Sequence, residues 1–526
     1  MPPLVPSPRS SRPTGEAGDR DATAKSGMRI RDYEIWGLLG EGGMSEVWLA
    51  KDEVLSIPVM IKTLGKTSFS VEEAYARVLN EARSMARIPD PRIVRALHAG
   101  IHEGTPYVVQ EYVDGIDIEE LDGWRRKTLG VTLPLWFICH VMKETCRALH
   151  SAHQSGVIHR DVKPSNVFGS PETGIRLGDF GIAAAISNGQ PLDVCGTPTF
   201  MAPEQLRAEP IDRRTDVFGA GATAYLLRYG SPPFATLQDL LDPGIAVTFP
   251  PPEHPQEGYF QQLLAAMLSK DASRRLPHAA TAGRHFAMIE HALRSSLQAA
   301  PLVCLDPFRF RLLDCTVTLE IGDLAEASAD GIVSSANYHM RMRSGVGDAL
   351  RARGGDEIET EAMQNGEQAL GTVVPTRAGR LAARRVLHAV GGWNEISCVG
   401  RATQRTFLLA DQLGLRSLAF PALGTGAAKI SVEACANAMM TALRMHLSLG
   451  GTRLESVRVV LDSEAKRTAF RSVAEEALRA QEEPPALTDL GLPALRTEAG
   501  EHSATHLDLT RHAPHRSVVR ERGGAA

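Results

Sequence analysis

The sequence predicts a multidomain chain. An α+β region covers residues 29–290, a linker 291–312, and an α/β layered region 313–480. Disordered segments close both ends, at 1–28 and 481–526. Three observations lead there. With 526 residues, the chain is too long for one hydrophobic core. The first region starts with strand-like runs and then turns helical, whereas the second alternates strand and helix. The first 28 residues are rich in Pro, Ser, Gly and Arg, and the last stretch has no hydrophobic period.

In the first region, Tyr33–Leu39, Glu46–Ala50 and Val59–Leu64 read as strands. A helix is expected over Val71–Arg87 and another strand around Tyr107–Val113. Over Pro134–Ala152, Leu135, Ile138, Met142, Thr145 and Leu149 recur at spacings of three and four, the apolar face of a helix. Pro301 and Pro307 mark 291–312 as a junction. In the second region, Cys315–Ile321, Gly331–Ser334, Arg385–Val390, Ser417–Phe420 and Val457–Leu461 read as strands. Asp348–Arg353, Arg401–Leu413, Val432–Leu449 and Glu464–Ala480 read as helices.

Composition removes some function classes. A formal charge of -5 argues against bulk electrostatic binding to nucleic acid or an anionic membrane. No apolar run reaches the about 18 residues of a membrane span. The N-terminal MPPLVPSPRSSRPTG lacks the apolar core of a signal peptide. Seven scattered cysteines form no CxxC or Cys/His cluster, so they read as reduced thiols in a cytoplasmic protein.

The chemistry begins at LLGEGGMSEVWLA. Gly40, Gly42 and Gly43 let backbone N–H groups approach phosphate oxygens with no Cβ in the way. The loop and its flanks, Leu39, Gly40, Glu41, Gly42, Gly43, Met44, Ser45, Glu46 and Val47, are candidates for nucleotide binding. There is no GxxxxGK[ST], so this is not a Walker-type loop. Lys62 closes the apolar strand VMIK, positioned to return under the glycines. Glu81, inside the helix at 71–87, is its candidate partner. IHRDVKPSNVF then brings Asp161, Lys163 and Asn166 together, GDFG brings Asp179, and TPTFMAPEQL brings Glu204. Asp216 and Arg275 follow.

In this order and at these spacings, the strings resemble eukaryotic-like (Hanks-type) protein kinases over about 260 residues. The resemblance implies a bilobal kinase fold and transfer of the γ-phosphoryl of Mg-ATP to a protein hydroxyl. Asp161 would orient the hydroxyl and accept its proton. Lys163, as in the serine/threonine branch, would contact the transferred phosphate. Asn166 and Asp179 would hold Mg²⁺, and Lys62 with Glu81 the α- and β-phosphates. His159, Glu204, Asp216 and Arg275 would be structural. One departure is that Ser45 replaces the third loop glycine. Another is that Arg160, which normally pairs with an activation-loop phosphate, has only Ser187, Thr197 and Thr199 as acceptors between Gly181 and Pro203.

The second region carries LEIGDLAEASADGIVSSAN, SGVGDALRARGG, RVLHAVGGW and LAFPALGTGAAK. These resemble the macro domain, a three-layer αβα fold that binds ADP-ribose. The resemblance implies an adenine contact at Asp323 with Leu324. It implies phosphate contacts at Gly345 and Val346 and at Gly424, Thr425 and Gly426, and a distal-ribose contact at Asn337. Hydrolytic macro domains have an NAAN string and an aspartate in the first glycine loop. Here Ser334 and Gly347 stand at those positions, with Asp348 one residue later, and Arg341 and Arg343 precede the loop. No aromatic residue for stacking on adenine is evident in VVLDSEAKRTAF.

The reading that follows is a cytoplasmic serine/threonine kinase using ATP and Mg²⁺. Its partners would be proteins offering Ser or Thr hydroxyls, and ADP-ribose or an ADP-ribosylated protein. Nucleic acid and membrane are not expected. Kinases of this type often self-associate, which leaves a homodimer through that domain open. The alternatives are an ADP-ribose-reading scaffold with an inert kinase fold, and a kinase fused to an ADP-ribosyl hydrolase.

Overall fold

A computed structural model describes residues 28–41, 45–64, 70–180, 198–296, 302–393 and 396–479. The terminal segments expected to be disordered lie outside these residues, Met28 apart. So do Gly42, Gly43, Met44, Ser187 and Thr197.

The described residues begin with an antiparallel sheet. It holds the short strand Arg29–Ile30 and then β1 (Tyr33–Glu41), β2 (Ser45–Asp52), β3 (Ile57–Leu64), β4 (Ala96–His102) and β5 (Thr105–Glu111). The order across the sheet is Arg29–Ile30, β1, β2, β3, β5, β4. Helix α1 (Val71–Ala86) packs on it. Ile35, Ala50, Val59, Ile61 and Val109 are fully buried, the alternate residues that a one-sided sheet turns to its core. The segment Tyr112–Gly115 leads out of β5 into a helical lobe.

That lobe is built on α2 (Ile118–Leu129), α3 (Leu135–Gln154), α4 (Arg213–Tyr229), α5 (Pro255–Met267) and α6 (Ala279–Ser296). A small sheet adds β6 (Val167–Ser170) and β7 (Gly174–Leu177). Helix α3 buries Ile138, Met142, Thr145 and Leu149, the face its periodicity marked. Asp117 caps α2 through the Glu120 N–H at 2.7 Å, and Gly130 ends it in the left-handed region.

The second unit is an eight-stranded sheet. Its strands are β8 (Val303–Asp306), β9 (Arg309–Leu312), β10 (Cys315–Ile321), β11 (Gly331–Ser335), β12 (Val373–Arg377), β13 (Arg385–Ala389), β14 (Ser417–Phe420) and β15 (Ser456–Leu461). The spatial order is β8-β9-β10-β15-β14-β11-β13-β12. The five strands β10, β15, β14, β11 and β13 run parallel, and the edges are antiparallel.

Helices cover both faces. Leu418 and Phe420 pack into a core with α9 (Val399–Leu413), α10 (Val432–Ser448) and α11 (Glu464–Leu478). Ala419 and Val460 face α7 (Gly345–Gly354) and α8 (Glu357–Met363) on the other side. Burial on both faces is why Leu418–Phe420 and Val459–Leu461 read as continuous apolar runs. The unit is a three-layer αβα domain. The stretch 291–312 corrects the expected linker. Helix α6 runs on to Ser296, and β8 and β9 form the edge hairpin of the second sheet. Its signal was weak because every residue of β8 is exposed and Pro307 sits in the turn.

Candidate functional site

The first site lies between the lobes, and its scaffold is Asp216. This carboxylate is 1% exposed near the start of α4. It accepts the backbone N–H groups of His159 and Arg160 at 2.8 and 2.7 Å, and His153 Nε2 lies 2.7 Å away. Arg160 has φ 71°, costly for a residue with a Cβ, and the two bonds to Asp216 hold it there. His159 is fully buried. Its Nε2 donates to Gly178 O at 2.9 Å, so Nδ1 accepts the Asp161 N–H at 3.3 Å. Both ring nitrogens are engaged, which suits the structural role expected for it.

On this frame, Asp161 Oδ2 accepts Lys163 Nζ at 2.8 Å and Asn166 Nδ2 at 3.1 Å. Asn166 Nδ2 also donates to Asp161 O at 2.7 Å. With its N–H groups spent on Asp161, Asn166 keeps its amide oxygen for a cation. Gly178 N–H donates to Asn166 O at 2.9 Å and ties this loop to Asp179. Asp179, at φ 52°, places Oδ1 3.1 Å from Lys62 Nζ. Burial alone would raise its pKa. The charges of Lys62 and Lys163 outweigh that and hold it below the usual carboxylate value. Phe180 is buried against His159, with ring centroids 4.4 Å apart.

Strand register sets the roof. Lys62 pairs with Val47 on one side and Val108 on the other, and Gly40 pairs with Val47. A Cβ added at Gly40 would meet nothing within 4 Å, so the protein interior does not itself require glycine there. Leu39 packs in a cluster with Met60 and Tyr112. Glu46 is exposed, and Glu41 and Ser45 end their strands. Glu81 is on α1, with its side chain outside the described residues.

Behind the loop, Glu204 accepts Arg275 at 2.6 and 3.0 Å and Thr215 Oγ1 at 2.9 Å. Burial would raise the Glu204 pKa, but the Arg275 guanidinium wins and lowers it. An amide oxygen, a carboxylate and substrate phosphates form the hard oxygen set that Mg²⁺ takes, so these residues fit that ion.

The second site is a cavity of about 390 Å³ at the C-terminal ends of the parallel strands. Asp323, Leu324, Gly345, Val346 and Thr425 line it. Asp323 Oδ1 accepts the Ala325 N–H at 2.9 Å, leaving the other carboxylate oxygen for a ligand. Gly345 opens α7 at φ 53°. Gly424, at φ 73°, directs its N–H to Ser335 Oγ at 3.4 Å, and a Cβ there would collide with Ile430.

Asn337, Gly424 and Gly426 lie outside the lining residues. Asn337 instead braces its own loop, donating to Arg341 O at 2.9 Å and accepting the Arg341 N–H at 3.2 Å. Arg343 is spent on Glu359 at 2.8 Å, and Asp348 on Arg351 at 2.7 Å. Sequence reasoning missed Asp462 and Lys466. Both line the cavity, and their charged groups pair at 2.6 Å. Their place just beyond the C-terminal end of β15 was the available signal.

Comparison with known proteins agrees with this architecture. A family model described as "Protein kinase domain" matches residues 33–287, and one described as "Macro domain" matches 333–439. Serine/threonine-protein kinase PknB of Mycobacterium tuberculosis is 34% identical over 297 residues, covering 53% of this chain and 46% of that protein. PknB of Mycolicibacterium smegmatis is 37% identical over 211 residues, covering 38% of this chain and 33% of that protein. The chain thus spans about half or less of the length of these curated relatives. The crystal structure of the Mycobacterium tuberculosis PknI kinase domain aligns at 25% identity with a TM-score of 0.40. The match covers 51% of this chain and 99% of that one. Fold, site geometry and the family model together mark residues 33–287 as a protein kinase domain. A macro domain follows it in the same chain. Among the described residues, no helix is long and apolar enough to cross a membrane.

Proposed function

We propose that the chain is an ATP-dependent serine/threonine protein kinase whose macro unit binds ADP-ribose or an ADP-ribosylated protein. The observation that carries the first part is the pre-organised set Lys62–Asp179 and Lys163–Asp161–Asn166, with one bond joining its two halves. Asp161 orients the substrate hydroxyl and takes its proton. Lys163, already on Asp161, offsets charge on the transferred phosphoryl, and Lys62 does so on the nucleotide phosphates. Asn166 Oδ1 and Asp179 are the residues that would hold Mg²⁺, which supplies further charge neutralisation when bound. Leu39, Gly40 and Val47 form the roof over the nucleotide.

Purified protein with labelled ATP and Mg²⁺ is expected to phosphorylate itself or a generic Ser/Thr substrate. Asp161→Asn should lower turnover about 10²–10⁴-fold while nucleotide binding persists. Equal, low activity in both proteins would refute the reading.

The macro unit is read as a binder rather than a hydrolase. Two details support this. A Cβ at Gly347 would come 3.2 Å from Met342 Cα, a tight approach that leaves little room for a larger residue. Asp348 turns its carboxylate to Arg351. Calorimetry with ADP-ribose should show binding, and a mono-ADP-ribosylated protein should remain intact on incubation. The cytoplasmic reading rests on the six described cysteines, all free and five of them buried.

A further inference from the structure

The two domains are joined by polar contacts on the kinase segment that connects its lobes. Asp114, just beyond β5, is the centre. Its Oδ2 accepts the Gly400 N–H at 2.8 Å and its Oδ1 the Arg401 N–H at 2.9 Å. Gly400 and Arg401 belong to the first turn of α9, whose own Cys398 offers no side-chain cap. The kinase therefore supplies the N-cap of a macro-domain helix. A carboxylate at the positive end of a helix dipole is well placed.

Further contacts reach both lobes. On the helical lobe, Glu120 receives Arg405 in a two-pronged pair at 2.7 and 2.9 Å. Arg125 donates to Gly450 O and Leu449 O at 2.9 and 3.0 Å, and Gln404 donates to Gly169 O at 3.1 Å. Macro residues Leu408 and Leu449 belong to the same buried cluster as the kinase core. On the sheet lobe, a Cβ at Gly37 would come 3.2 Å from Ala369 Cβ. Leu49 and Tyr112 share a buried cluster with Met340, Leu370 and Cys398. One domain thus touches the sheet lobe, the connecting segment and the helical lobe.

We propose that the macro domain is a clamp across the kinase hinge. Seated by the Asp114 cap and the Glu120–Arg405 pair, it restrains the opening of the two lobes and slows exchange of nucleotide from the cleft. Lobe opening rotates one lobe about Tyr112–Gly115, so contacts held to both lobes by one body must break on one side. This rests on the kinase fold and not on what the macro cavity binds.

Three variants of the full chain test it. Arg405→Glu sets two carboxylates against each other. Arg405→Glu with Glu120→Arg restores the pair reversed. Gly400→Ala suits a helix interior, yet its Cβ would lie 2.9 Å from Asp114 Oδ2 and 3.1 Å from Asp114 O, wedging the cap. The readouts are hydrogen exchange at the Gly400 and Arg401 amides and the release rate of a fluorescent ADP, followed by stopped flow. Expected are protected amides in the natural protein and exposed ones in Arg405→Glu and Gly400→Ala. ADP release should be at least about fivefold faster in those two, with most of the change reversed in the double variant. Unprotected amides in the natural protein overturn the proposal. So does protection that survives both single substitutions, and so does exposure of the amides with ADP release unchanged.

Discussion

Asp161 and Asn337 both close a loop through two hydrogen bonds, with opposite consequences. Asp161 gathers its donors while staying at the cleft. Asn337 spends its amide on Arg341 and holds the chain that leads into α7. If ADP-ribose binds as proposed, Asp323→Ala should weaken that binding about tenfold or more, since it removes a carboxylate that lines the cavity. Asn337→Ala should leave binding within about threefold and cost about 1 kcal/mol of stability through the lost turn. Calorimetry and thermal melting separate the two outcomes. Gly424→Ala forces a side chain into the left-handed region and against Ile430, so it should cost about 1–2 kcal/mol and reduce binding with it. The kinase residues were legible because their string is contiguous and their chemistry needs fixed types. Lys466 was not, because a lysine in a charged helix looks like any solvated surface residue until the sheet brings it to the cavity.

Helix pairing decides acid stability in the kinase helical lobe. Glu290 on α6 lies 2.8 Å from Lys143 and 3.0 Å from His140 on α3. Burial would raise its pKa, yet the bonds and charges of His140 and Lys143 prevail and hold it at about 2, against an ordinary value of 4.5. The folded value is the lower one. The stabilisation is therefore complete above pH about 4.5 and lost as pH falls towards 2. Glu290→Gln should melt below the natural protein at pH 7, and the gap should close between pH 4.5 and 2. A gap that stays constant with pH contradicts this. At this scale, strands such as Cys315–Ile321 and Ser417–Phe420 were readable to the residue, because their buried apolar residues give a clear pattern, alternating in the first and consecutive in the second. The β8–β9 hairpin was missed for the converse reason. An edge with few buried side chains and a proline at its turn carries little pattern.

Across the whole molecule, a short run of packed residues links the Asp114 cap to the macro cavity. Cys398 N–H, just before α9, donates to Gly391 O at 2.8 Å. A Cβ at Gly391 would lie 3.5 Å from Leu423 Cβ, in the loop that carries Thr425 to the cavity. Occupancy of that loop and the Asp114 cap therefore share a short path. By linkage, ADP-ribose and a non-hydrolysable ATP analogue should change each other's Kd by the same factor, expected at about fivefold or more. Two titrations of each ligand, with and without the other, measure it, and equal affinities in both would dismiss the coupling.

The sequence by itself marked two domains, the candidate residues of the first site and five of the residues that line the cavity of the second. Each is written in short strings whose residue types suit local chemistry, with glycines where backbone could approach phosphate and a carboxylate and an amide that would suit a cation. Only the tertiary structure decided how the domains sit together. Asp114, Glu120, Gly400 and Arg405 are ordinary polar residues in sequence, and nothing local marks them as partners. They meet because α9 packs against α2 and the segment that follows β5. A contact between residues nearly three hundred positions apart is set by the packing of whole elements, which no window of sequence contains.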